Sequence, residues 1–185
     1  MLRRTLLFAL ASLLFGIAGY ALAAGGPKKD PGKAVLLAPR TQTTGCTLGP
    51  DPDPDCAPGA YAKKLTKAVI CAGKGVFTTD DYRYVPDSEK RDVEVEYGMD
   101  TTKKYGKSLE IDHIISLELG GSNDIANLFP EGKYAHPGYK AKDALETRLA
   151  HLVCDGKLDL RTVQRQIATD WRGLYTEVFG KPPTG

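Results

Sequence analysis

Residues 109–129 read Leu109-Glu110-Ile111-Asp112-His113-Ile114-Ile115-Ser116-Leu117-Glu118-Leu119-Gly120-Gly121-Ser122-Asn123-Asp124-Ile125-Ala126-Asn127-Leu128-Phe129. From Leu109 to Leu119 the chain alternates imperfectly and is rich in Ile and Leu, then meets the turn-forming run Gly120 to Asp124. A second apolar run covers Ile125 to Phe129. This pattern predicts a strand, a loop and a second strand. Beyond Pro130 and Pro137-Gly138, the apolar residues Ala141, Leu145, Leu149 and Leu152 fall at helical spacing, which predicts a helix ending near Gly156. The middle of the chain therefore orders itself as strand, loop, strand, helix.

Working outward, Leu160, Val163, Ile167, Trp171, Leu174 and Val178 form the stripe of a last helix, with Asp159 before it, Gly180 after it and Trp171 facing the core. Upstream, Tyr61 to Cys71 reads as a short helix. Ser88 reads as the N-cap of another that closes at Tyr97-Gly98. Residues 24–55, rich in Gly, Pro and Asp, read as an extended leader partly pinned by Cys46 and Cys56. Residues 56–185 are long enough for one core.

The extreme N-terminus carries Arg3 and Arg4, an apolar run from Leu6 to Ala18 and then Ala21-Leu22-Ala23. That is the order of a secretory signal over residues 1–23, cleaved at its small-residue exit; the alternative is an uncleaved membrane anchor. The rest of the chain lacks a span and calls for no stable membrane association. Export, to a periplasm or to the medium, suits the four cysteines Cys46, Cys56, Cys71 and Cys154, an even count that suggests two disulfides. Three pairings are open. Cys154 lies far from the others, so one bridge must join the C-terminal part to the N-terminal part. None forms a Cys-x-x-Cys pair, which argues against a cysteine zinc site.

Of 25 basic and 23 acidic residues, the signal removes two basic ones, Arg3 and Arg4. The mature chain is then formally neutral, and global charge offers no argument for a nucleic-acid partner. Lys103, Lys104 and Lys107 before the central motif, and Lys140, Lys142 and Arg148 after it, are local basic clusters that read equally as solvated faces.

Three histidines exist. His151 sits late in a predicted helix and reads as a surface or structural residue. His113 follows Asp112 directly in an apolar strand, where successive side chains point to opposite faces and the two cannot simply pair. Separate tasks suit them better, one holding a cation and one facing water or substrate.

The spaced set Asp112-His113-Ile114-Ile115, Gly120-Gly121-Ser122-Asn123-Asp124 and Ala126-Asn127-Leu128-Phe129-Pro130-Glu131 resembles the HNH endonucleases. Cys56-Ala57-Pro58-Gly59-Ala60, Lys142-Asp143-Ala144-Leu145-Glu146 and Leu152-Val153-Cys154 resemble an exported bacterial group of them, over roughly residues 55 to 175. The resemblance implies an α+β fold, a small ββα-metal unit embedded in a mostly helical, disulfide-stabilised single domain. It implies Asp112 as a metal ligand, His113 as the general base, Asn127 as the brace that orients the histidine, and His136 as the second metal ligand. The implied partner is nucleic acid, double-stranded DNA, cut to leave a 5′-phosphate; the implied cofactor is one divalent ion, magnesium, manganese or zinc. The Cys-x-x-Cys-His setting of many family members is absent around His136.

The chemistry explains these residue types. Attack on an anionic phosphodiester needs an activated water and a cation to absorb charge developing on oxygen. An imidazole, with an unperturbed pKa of ~6.5, can take the proton at neutral pH. Arg83 and Lys142 are candidates for phosphate contact. Two other readings compete: a non-catalytic exported binding protein built on the same scaffold, and a zinc hydrolase with Asp112, His113 and His136 as ligands and Glu110 or Glu118 as base.

Overall fold

The computed structural model describes residues 28–73, 76–103, 105, 108–132 and 137–184. The expected signal over 1–23, together with His136, Lys104 and Lys107, lies outside them. Among the described residues, no helix is long and apolar enough to cross a membrane.

The chain is a mixed α+β domain with two small antiparallel sheets. Strand β1 (Ala34–Leu36) pairs with β2 (Ala60–Ala62), and β3 (Leu109–His113) pairs with β4 (Leu128–Gly132), Asp112 opposite Phe129 and Glu110 opposite Glu131. The helices are the single turns α1 (Lys67–Ile70) and α2 (Thr79–Tyr82), then α3 (Asp87–Glu96), α4 (Tyr139–Cys154) and α5 (Leu160–Phe179).

Local signals set several boundaries. Asp159 accepts a hydrogen bond from Thr162 N and caps α5, and Gly180 ends it with a left-handed φ of 71°. Trp171 is buried with Leu160, Val163, Ile167 and Leu174 in one apolar core. Helix α4 buries Ala141, Leu145, Leu149 and then Val153, not Leu152, a strict spacing of four. Helix α3 starts after Pro86 rather than Ser88.

Three expectations are corrected. Tyr61 to Cys71 is not one helix, because β1 claims Ala60–Ala62 as a pairing partner and only Lys67–Ile70 remains helical. The first central strand stops at His113, and its continuation is a 3-10 turn at Leu117–Leu119. The second begins only at Leu128, because the Asp124 side chain accepts from Ala126 N and winds residues 125–127 into another 3-10 turn.

The described part of the leader lies against the domain. It contributes β1, the Cys46 side chain in the core and the Pro50 carbonyl that accepts from Trp171 Nε1 at 3.4 Å. The disulfides are Cys46–Cys56, which closes a short loop, and Cys71–Cys154, which ties the end of α1 to the end of α4.

Candidate active site

The loop between β3 and β4 is held by one side chain. Asn127 is fully buried, and its Oδ1 accepts from Ala60 N at 3.1 Å and Ile115 N at 3.0 Å while its Nδ2 donates to Ile115 O at 3.0 Å and Ser122 O at 2.8 Å. All four polar valences of the amide are used, which is what a buried amide requires. The paired glycines let the loop close. A Cβ at Gly121 would collide with the Ile115 carbonyl, and Gly120 turns at φ 75° with the Leu65 carbonyl 2.7 Å from where its Cβ would sit.

This loop closes directly behind His113, which is only 3% exposed at the last position of β3. Its Nε2 lies 3.0 Å from Asn123 Oδ1, and Asn123 Nδ2 donates to the carbonyl of Tyr82 at 2.8 Å. The four hydrogen bonds of the Asn127 amide all go to backbone and none to the imidazole. The other ring nitrogen, Nδ1, stands 3.8 Å from Asp112 Oδ1. The strand alternation that separates neighbouring side chains is thus relaxed at the strand end, and a single oxygen atom could contact both groups.

Behind Asp112 lies a buried ion cluster. Lys142 Nζ donates to the His113 carbonyl at 2.7 Å and to Glu146 Oε1 at 2.6 Å, and stands 3.4 Å from Asp112 Oδ2 and 3.7 Å from Glu131 Oε2. Lys142 is 1% exposed, so it cannot be the phosphate contact its charge suggested. Burial pulls its ammonium toward neutrality, but Glu146, Asp112 and Glu131 outweigh that and raise its pKa. Burial likewise opposes charge on Asp112, yet Lys142 and His113 hold that carboxyl well below the usual range. Glu131 and Glu146 go the other way: burial pushes the pKa of each up to about 8, and among the described residues neither Glu131 oxygen has a hydrogen-bond partner.

Asp112 and His113 form the floor of an open cleft of about 550 Å³ whose walls include Arg83, Tyr84, Lys90 and Tyr105. Arg83 and Lys90 are exposed cations. Of the expected metal ligands, Asp112 presents one carboxylate oxygen here while the other is steadied by Lys142. A lone hard oxygen of this kind suits a divalent ion that keeps several waters. His136 lies outside the described residues, and among those described no three His, Cys, Asp or Glu side chains converge on a metal position.

Sequence reasoning missed Asn123, Tyr82 and the burial of Lys142. One signal was present: Lys142 and Glu146 stand four apart, directly beside Ala141 and Leu145 on the apolar stripe of α4, the spacing at which helical side chains meet. Asn123 carries no such signal in a loop rich in polar residues. His151 is exposed in the last turn of α4. Compared with known proteins, the chain matches no family model, and no curated protein or solved structure is significantly similar to it.

Proposed function

We propose that this chain is an exported, metal-dependent endonuclease of the HNH type, with β3, β4 and α4 as its ββα unit. The observation that carries the reading is the juxtaposition of the His113 imidazole and the Asp112 carboxylate, 3.8 Å apart, on the floor of a cleft walled by Arg83 and Lys90. His113 accepts a proton from the attacking water. Asp112, ionised beside Lys142, would hold the divalent ion together with His136, and Asn127 keeps the loop closed behind the histidine. The ion, when bound, absorbs negative charge developing on the phosphate oxygens. Arg83 and Lys90 lie where a phosphodiester entering the cleft would meet cations. The two disulfides fit an oxidising compartment and so support export.

The test is nicking of supercoiled plasmid by the mature chain, from about Ala24, with magnesium, manganese or zinc and with excess chelator. Cleavage is expected only with a divalent ion, and His113→Ala should lower turnover ~100-fold to ~10,000-fold. Full activity in chelator contradicts the metal's role. No cleavage with any ion returns the chain to the non-catalytic binding reading.

A further inference from the structure

A neutral imidazole has one N–H and one bare nitrogen, and only the bare one can act as a base. Which nitrogen is bare at His113 is determined by what Nε2 meets, because among the described residues Nδ1 has no hydrogen-bond partner and stands 3.8 Å from the Asp112 carboxylate. Nε2 meets the side-chain amide of Asn123 at 3.0 Å. That amide is oriented from its far side: Nδ2 donates to the Tyr82 carbonyl at 2.8 Å. Turning the amide over would set its oxygen against the Tyr82 oxygen at the same distance, two acceptors in contact with no proton between them. The Tyr82 carbonyl is itself fixed in place. It belongs to α2, whose ring at Tyr82 is buried and stacked on Phe77 at 5.4 Å, and whose turn is capped by Thr78.

We infer that Asn123 is a positioning residue: its Oδ1, aimed by the Tyr82 carbonyl, accepts the Nε2–H of His113 and so leaves Nδ1 bare on the side of Asp112. The histidine is thereby held as a base before any substrate arrives, by a residue in the loop and a carbonyl 41 positions upstream of it. The tautomer follows from the hydrogen bonds alone. Its importance for turnover rests on the nuclease reading above.

The experiment is imidazole 15N NMR on the uniformly labelled mature chain in metal-free buffer with chelator, at a pH where the ring is neutral. His113 is identified by the signals lost in His113→Gln. The parent should show a pyridine-like Nδ1 and a pyrrole-like Nε2. Asn123→Ala removes the acceptor and should give mixed tautomers. With metal added, Asn123→Ala should lower kcat at least ~10-fold, part of what a general base supplies, with KM within about twofold because the residue does not line the cleft. A pyridine-like Nε2 in the parent, or the parent's tautomer in folded Asn123→Ala, would each overturn the inference. If Asn123→Ala does not fold, the parent spectrum still tests it. The expected spectra in a protein that cuts no nucleic acid with any ion would uphold Asn123's role and refute the nuclease reading alone.

Discussion

At Lys142 the charges do not cancel: one ammonium stands among Asp112, Glu131 and Glu146, all within 3.7 Å of it. Glu146, at 2.6 Å, takes the hydrogen bond, and Asp112 keeps its charge chiefly through the same ammonium. Burial favours the protonated form of both Glu131 and Glu146, and of the two only Glu131 lacks a hydrogen bond to the ammonium. Lys142→Met would strand the buried carboxylates without a cation and should destabilise the fold by about 3–5 kcal/mol, measured by urea unfolding; a loss under 1 kcal/mol would mean that water reaches the cluster. Glu131 makes a pH prediction whose sign is fixed by its raised pKa. A carboxyl whose folded pKa exceeds its unfolded value stabilises fully below the unfolded value, here the ordinary 4.5, and loses that contribution as pH rises through about 8. Unfolding free energy should therefore fall between pH 5 and pH 8. Glu131→Gln should flatten the fall by up to ~1.4 kcal/mol per pH unit, the slope of one proton. Parallel profiles for parent and variant would show that Glu131 is already ionised in the native protein.

Among the elements, the loop from Ile114 to Asn127 depends on a partner outside itself. Strand β2 lends it backbone bonds, Ser122 N to Ala60 O at 3.0 Å and Ala62 N to Gly120 O at 2.9 Å, and Asn127 closes the remainder. Asn127→Ala would leave two N–H groups and share in two carbonyls unmet in a dry interior, at about 1–3 kcal/mol for each buried group abandoned. It should cost about 3 kcal/mol or more in chemical unfolding, and the nicking proposed above should be lost through collapse of the loop rather than loss of a contact to the histidine. A variant of native stability would argue that water enters and replaces the amide. Helix α5 shows a different dependence. Its backbone leaves helical geometry at Asp170, whose Oδ1 accepts from Gly173 N and starts the helix afresh. A Cβ at residue 173 would displace that carboxylate from its place, although the apolar stripe runs through the kink without interruption.

On the scale of the whole molecule, Cys71–Cys154 closes a loop of 83 residues that contains the entire candidate site, and Cys46–Cys56 closes one of 10. In the chain-entropy view the long bridge contributes about 4–5 kcal/mol and the short one somewhat less. Reduction under native conditions should lower the melting temperature by more than 10 °C and abolish activity, and Cys71→Ser/Cys154→Ser should account for most of the loss. An unchanged melting temperature after verified reduction would place the stability in the apolar core alone. By itself the sequence determined the order of strand, loop, strand and helix, the ends of α5, the burial of Trp171 and the candidacy of Asp112 and His113. These rest on signals between near neighbours: helical spacing, a capping aspartate, a terminal glycine and a spaced motif. Only the tertiary structure decided which cysteines pair, that Ala60–Ala62 is strand, that Lys142 is a buried cation rather than a surface one, and that Asn123 and Tyr82 hold the histidine. The physical reason is that each of these is a distance between residues far apart in the chain. A lysine among carboxylates 3 Å away and a lysine in water are the same letter until the packing of α4 on β3 and β4 brings the partners together.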